Sequence, residues 1–208
     1  MVDSALCFAV LDGNIAAGKT SLGRELQRRG YAVHFEDVEG WGDTLTRFYR
    51  DPGRWSYLLQ TRILLSMHAA RARARATAEA GGRPVVFFER SPQSSLLFVE
   101  EAVAAGHMDA CEHRAFLDLH AVLGWTPDRV LWVDTPPRVC AERMARRGRA
   151  AEADVDVAYL ERLDARHREA IATGRLGGST ERLDGTLSIA QLADEVVRLV
   201  GGAEGGET

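Results

Sequence analysis

The stretch Leu11-Asp12-Gly13-Asn14-Ile15-Ala16-Ala17-Gly18-Lys19-Thr20-Ser21 constrains this chain more than any other, because it fits G-x-x-x-x-G-K-[ST] in the context that pattern needs. An apolar run from Ala5 to Leu11 precedes it in the manner of a buried strand, and Leu22-Gly23-Arg24-Glu25-Leu26 follows at helix spacing. Gly13 and Gly18 allow the backbone to fold into a nest whose N–H groups face phosphate oxygens. The helix behind adds the positive end of its dipole. Lys19 supplies a point charge for the outer phosphates and Thr20 a hydroxyl for Mg²⁺. The expected phosphate-binding set is therefore Gly13, Asn14, Ala16, Ala17, Gly18, Lys19, Thr20 and Ser21.

Further along, Tyr31-Ala32-Val33-His34-Phe35 predicts a second strand ending at Glu36-Asp37. A helical pattern starts at Trp41, with Leu45, Phe48 and Tyr49 on one face, until Asp51-Pro52-Gly53 breaks it. A long helix is expected over 54–80, closed by Gly81-Gly82. Pro84-Val85-Val86-Phe87-Phe88 is too apolar to be exposed on either face and reads as a strand leading into Glu89-Arg90-Ser91. Helices over 92–105 and 109–123 come next, then a strand Arg129–Val133 ending at Asp134. A helix carrying Val139, Cys140 and Met144, a helix over 155–172, a short strand over 181–183 and an amphipathic helix over 188–200 complete the pattern. Alternating strands and helices predict an α/β fold: a five-stranded, mainly parallel sheet with helices on both faces, one domain over 1–200. The tail from Gly201 to Thr208 is expected to be disordered.

A net charge of −4 argues against a dedicated nucleic-acid binder, and no apolar run approaches a membrane span. Cys7, Cys111 and Cys140 lack metal-ligand spacing and cannot all pair internally, so free thiols in a reducing compartment are expected. No basic leader precedes the first strand. The expectation is a soluble cytoplasmic protein with neither nucleic-acid nor membrane partners. Arg71, Arg73 and Arg75 read either as a solvated helix end or as a polyphosphate or nucleic-acid contact.

In an open parallel sheet, ligands gather beyond the carboxyl ends of the strands. The residues there are the phosphate loop, Glu36, Glu89-Arg90 and Asp134. Carboxylates and an arginine facing a triphosphate suit phosphoryl transfer to a hydroxyl: one acid takes the acceptor's proton, another holds Mg²⁺, and arginines steady the moving charge. The run Arg143, Arg146, Arg147, Arg149 reads either as a lid closing over a triphosphate or as cations suited to a helix C-terminus.

On these residues the chain resembles the deoxynucleoside kinases, the group holding the cellular deoxycytidine, deoxyguanosine and mitochondrial thymidine kinases; herpesvirus thymidine kinases are more distant. The resemblance spans about 5–172 and rests on Gly13 to Lys19, Glu36 with Trp41 five residues on, and Tyr49-Arg50-Asp51-Pro52-Gly53-Arg54-Trp55 leading to Gln60. Glu89-Arg90-Ser91, Arg143 to Arg149 and Tyr159-Leu160-Glu161 complete it. It implies a P-loop kinase fold with an arginine-rich lid, ATP as phosphoryl donor, Mg²⁺, a deoxynucleoside acceptor, and a homodimer built on helices like 54–80 and 109–123. By position it implies that Glu36 is the general base for the 5′-hydroxyl and that Arg90 lies beside that hydroxyl. Glu89 and Thr20 would contact Mg²⁺, Gln60 the nucleobase edge, and Tyr49 with Glu152 the sugar 3′-hydroxyl. Trp41 would form pocket wall, and Arg143, Arg147 and Arg149 would be the lid arginines.

Three departures from the family pattern bear on the base and on the substrate pocket. Asp37 follows Glu36 where the family usually has proline, which adds negative charge beside the base. Val99 stands where the family has a base-stacking aromatic, so either Phe98 stacks or the pocket is less aromatic. Met67 and Ser95 replace an arginine–aspartate pair of the deoxycytidine and deoxyguanosine kinases, which resembles the thymidine-accepting, broader pyrimidine members. The expected activity is ATP-dependent phosphorylation of a deoxynucleoside 5′-hydroxyl, leaning to pyrimidines. A thymidylate-type nucleoside monophosphate kinase and a non-catalytic nucleotide-binding member stand as alternatives.

Overall fold

A computed structural model of the chain describes residues 6–79, 85–149, 152 and 155–201. In chain order the elements are β1 (Cys7–Asp12), α1 (Lys19–Arg28), β2 (Ala32–His34), α2 (Thr44–Arg50), α3 (Pro52–Glu79), β3 (Val85–Glu89) and α4 (Pro92–Ala104). They continue with α5 (Ala110–Leu123), β4 (Arg129–Asp134), α6 (Pro137–Arg147), α7 (Val157–Ala172), β5 (Ser179–Asp184) and α8 (Ile189–Gly201). The five strands form one sheet in the order β2-β3-β1-β4-β5, and every pairing is parallel. With β1 in the centre, the loops leaving β1, β2 and β3 open on the same edge of the sheet.

The period-two alternation of a strand buried on both faces explains the layering. Ala9 and Leu11 of β1 enter a core with Leu22, Leu26, Met144, Leu192 and Val196, which come from α1, α6 and α8. Phe8 and Val10 face the other way, toward Ala70 and Ala74 of α3, Phe88 and Trp125. Arg71 and Arg75 lie over the Phe8 ring at 5.6 and 5.9 Å, on that same packed layer. Their stems cover aromatic surface, and neither lines the cleft described below.

Several expected boundaries move, each for a local reason. Asp51-Pro52-Gly53 is not a break of three residues: Asp51 alone separates α2 from α3, and Pro52 opens α3. Proline suits the first helical position because its missing N–H has no intrahelical use, and Asp51 Oδ1 accepts from Arg54 N at 3.2 Å as a cap. The second strand is shorter than expected, and the last is a full six-residue strand paired along β4. Trp41 precedes its helix in a turn, and Gly201 ends α8 rather than beginning a tail. Gly81-Gly82 and residues 202–208 lie outside the described residues. The three thiols are free, with Cys7 half-buried against the core, Cys140 buried and Cys111 exposed.

Glu101 of α4 is buried and accepts from Arg162 Nε and, at 2.9 Å, Arg166 Nε of α7. Burial acts to raise its pKa, but the two arginines prevail and hold the carboxyl below its ordinary value. The pair therefore stabilises the fold at neutral pH, and that contribution disappears as pH falls through the lowered value. Both arginines keep solvent contact, so we expect Glu101→Gln to cost about 1–2 kcal/mol. At about 2–4 °C per kcal/mol for a chain of this size, Tm should drop by several degrees at pH 7. Thermal melts at pH 7 and at successively lower pH check this, because the difference should shrink as the solution is made more acidic than the ordinary glutamate range.

Candidate active site

The phosphate loop leaves β1 through two glycines at positive φ, Gly13 at 136° and Gly18 at 115°, with Ala16 also left-handed at 57°. A Cβ on Gly13 would lie 2.6 Å from the Val133 carbonyl oxygen, so only glycine allows the loop to pass this close to β4. The rim is fixed from outside. Thr135 Oγ1 and Arg143 Nη1 both donate to Ala17 O, at 2.9 and 2.8 Å, and Asn14 Nδ2 donates to Leu160 O at 2.8 Å. Lys19 Nζ folds back over the loop and donates to Gly13 O at 3.0 Å and Asn14 O at 2.7 Å. No side chain caps α1, so its first N–H groups face the cleft mouth.

Of the expected phosphate set, Ala16, Gly18, Lys19, Thr20 and Ser21 line the cleft. Gly13, Asn14 and Ala17 do not: they shape the loop from behind, and the Asn14 side chain is turned onto α7.

The strand ends bring the ionisable groups together. Glu36 Oε1 lies 3.2 Å from Arg90 Nε, and Thr20 Oγ1 donates to Glu89 Oε1 at 2.6 Å. Arg90 sits at φ 65° with its N–H bonded to Leu11 O at 3.0 Å, and its guanidinium covers the Phe98 ring at 4.6 Å. Burial is the main cause raising the Glu36 pKa; Arg90 and Lys19 oppose it, while Glu89 and Asp12 add to it. Lys19 is pulled down to about 8, first by burial and then by Arg90.

Two expectations fail here. Asp134 does not face the cleft, because Arg168 and Arg182 hold its two oxygens at 2.7 and 2.6 Å in ion pairs beside β5. Asp37 does not charge the base either: its carboxylate turns back to accept Gly40 N at 3.0 Å, and the upward shift of Glu36 comes from burial.

Away from the loop the cleft deepens between α2, α3 and α4, where Trp41, Tyr49, Gln60, Met67, Ser95 and Phe98 all line it. Arg62 of α3 donates to Gly40 O at 2.7 Å and Thr44 Oγ1 at 3.2 Å, which holds the Glu36–Trp41 segment over this pocket. Phe98 lines the cleft, with the Arg90 guanidinium over its ring, while Val99 is fully buried in the core behind it. Ser95 Oγ is committed to Pro92 O at 2.6 Å, and Met67 carries no charge. Trp41 Nε1, Gln60 Oε1 and Arg90 Nη1 are buried with no hydrogen-bond partner. Three such orphans around one cleft of about 1320 Å³ mark where polar groups of a ligand belong.

At the other end stand the arginines of α6 and of the turn that follows it. Arg143 lines the cleft and donates to Ala17 O and Gly185 O, the latter at 2.9 Å, which ties α6 to the phosphate loop. Arg147 and Arg149 both pair with Glu152, Arg149 at 3.3 Å. Glu152 thus engages the arginines, and Tyr49 lines the same wall without a bond to it. Burial raises both Tyr49 and Tyr159, the latter to about 12, so both phenols are hydrogen donors at neutral pH.

Tyr159 and Arg24, which had no role from sequence, line the cleft, as does Arg146 of the arginine run. Asp12, fully buried at the end of β1, contacts the Gly13 N–H, Ser94, Arg90 and His167. The rule that selects strand-end acids selects Asp12 as readily as Asp134.

A five-stranded parallel sheet, a G-x-x-x-x-G-K-[ST] loop and a facing acid–arginine pair define a P-loop phosphotransferase. The family model described as deoxynucleoside kinase matches residues 9–194. The chain is 34% identical over 151 residues to a Frog virus 3 protein named after that same activity, covering 73% of this chain and 75% of that protein. It is 30% identical over 187 residues to deoxycytidine kinase 2 of Gallus gallus, covering 76% and 71%. A solved deoxyadenosine kinase of M. mycoides, with dCMP and a flexible dCDP bound, superposes with a TM-score of 0.83 at 17% identity, covering 94% of this chain and 99% of that one. The chain belongs to the deoxynucleoside kinase family.

Proposed function

We propose that this kinase transfers the γ-phosphoryl group of ATP to the 5′-hydroxyl of a deoxynucleoside, with thymidine and deoxycytidine preferred. The observation that carries the reading is the Glu36–Arg90 contact at 3.2 Å, set in one cleft between the phosphate loop and a pocket of unpaired polar atoms. The acceptor oxygen bonds to the γ-phosphorus as the bond to the β–γ bridging oxygen breaks, and its proton passes to a Glu36 carboxylate oxygen. Arg90 and Lys19 meet the charge on the moving group. Thr20 and Glu89 form an all-oxygen pair suited to Mg²⁺, a cation that takes one or two carboxylates and completes its shell with phosphate oxygens. Bound there it would offset charge on the donor phosphates.

Gln60 would meet the base edge, Tyr49 and Glu152 the 3′-hydroxyl, and Trp41 and Phe98 the faces of the base. The uncharged Met67–Ser95 pairing supports a pyrimidine with a 5-methyl group, since no fixed charge there demands an exocyclic amine. A coupled assay offering thymidine, deoxycytidine, deoxyguanosine, deoxyadenosine and dTMP tests the reading. The first two should turn over fastest. Turnover of dTMP alone, or of nothing, would remove it.

Among the described residues no helix is long and apolar enough to cross a membrane. Leu58 and Leu65 of α3 and Leu117 and Val122 of α5 are exposed on two helices that pack together, with Val122 78% exposed. Such a surface supports a homodimer through α3 and α5. Leu65→Glu is expected to shift sedimentation at micromolar concentration from dimer to monomer; a parent protein that already sediments as a monomer would refute the dimer.

A further inference from the structure

Asp12 has no exposed surface and no part in the chemistry above, yet it touches both halves of the site. Its Oδ1 accepts from Gly13 N at 2.7 Å, at the root of the phosphate loop, and Arg90 Nη1 stands 3.7 Å from the same oxygen. Oδ2 accepts from Ser94 Oγ at 2.6 Å. From α7, the fully buried His167 places Nε2 3.5 Å from Oδ1, while its Nδ1 lies 2.7 Å from Leu163 O. Burial works against a charge on Asp12, but His167, Arg90 and Ser94 hold its carboxyl well below the usual range. A charged carboxylate is therefore sealed behind the arginine.

Arg90 needs such a backstop. Its backbone occupies a left-handed conformation that L-residues rarely adopt, and Glu36 reaches only its Nε edge. The Nη1 edge is buried with no hydrogen-bond partner. With Glu36 alone the guanidinium could pivot about Nε across the Phe98 ring. A second carboxylate behind the opposite edge removes that freedom, and at 3.7 Å it acts as an electrostatic stop without consuming the donor.

We propose that Asp12 is a positioning residue: it aims Arg90 at the transferring phosphoryl group and indexes that arginine against the phosphate loop, with Ser94 and His167 holding Asp12 in place. The inference rests on the kinase reading, in which Arg90 serves the reacting group.

Asp12→Asn keeps the side-chain shape and can still accept from Gly13 N–H. Its kinetics are to be measured in the parent and in an Arg90→Lys background. We expect kcat to fall about tenfold in the parent with both KM values within about twofold, because misaiming a group at the reaction centre costs rate more than affinity. In the lysine background the loss should shrink to about twofold or less, since the group being aimed is gone. A kcat unchanged by Asp12→Asn, or an equal loss in both backgrounds, would overturn the inference. If Asp12→Asn does not fold, His167→Gln decides in the same two backgrounds by the same criteria. The Arg90 Nε–H resonance gives a readout free of turnover: it should move in Asp12→Asn, and an unmoved resonance overturns the contact. A parent protein inactive on every nucleoside would overturn the kinase reading itself, whatever that resonance does.

Discussion

Glu36→Gln should lower kcat by about a hundredfold or more while the nucleoside KM stays within about threefold. The two effects separate because of what the amide keeps and what it loses. Glutamine retains the length of the side chain and an oxygen that can accept from Arg90 Nε, the contact now made at 3.2 Å. It cannot take a proton. The carboxylate of Glu36 is 17% exposed, recessed enough that burial leads the causes raising its pKa, with Glu89 and Asp12 adding to the shift against Arg90 and Lys19. A base must be ionised to act, so kcat/KM should fall on the acid side of a pKa above the ordinary glutamate value, and that limb should be absent in the variant. Profiles of kcat/KM from pH 4 to 9 for both proteins check this. A variant that keeps the parent rate would leave Glu36 without the role.

How much of this was legible from residue order depends on how far away the deciding partner lies. The central strands were readable because Val85–Phe88 and Val130–Val133 are apolar on both faces, a local property. The edge strand β5 was underestimated because Glu181 and Arg182 carry charge, and only its pairing along β4 makes it a strand of six residues. Pro52 read as a breaker and turned out to be a starter, since the same ring that stops a helix interior suits its first turn.

The same distance rule sorts the site. Lys19, Thr20, Glu36, Glu89 and Arg90 follow from a local motif and from strand ends, and the structure sets them around one cleft. Asp134 and Asp12 look alike in sequence, both being acids at a strand end. Arg168 and Arg182 claim the first, and Ser94 and His167 close over the second beside Arg90. Nothing local distinguishes them. The carbonyls that Arg143 engages, Ala17 O and Gly185 O, lie 126 and 42 residues away in the chain, out of reach of any local pattern.

Gln60→Leu should weaken nucleoside binding by about 30- to 150-fold, a loss of about 2–3 kcal/mol, and should raise Tm by a few degrees. The opposite signs follow from one atom. Gln60 is 4% exposed on α3, and its Oε1 is buried with no partner. In the empty protein that oxygen is a desolvated acceptor of the kind that costs about 1–3 kcal/mol. Leucine has nearly the same volume and no polar atom, so it removes the penalty without opening a cavity. A nucleobase bound against leucine, however, keeps its own donors and acceptors buried and unpaired, and the cost moves from folding to binding. In the proposed reading the donor nucleotide meets the phosphate loop at the other end of the cleft, so its KM should stay within about twofold. Thermal melts of the unliganded variant and KM values for both substrates test the argument together. Equal weakening of ATP and nucleoside would refute the base-edge role, whereas a lower Tm with affinity intact would show Gln60 to be holding the fold and not the substrate.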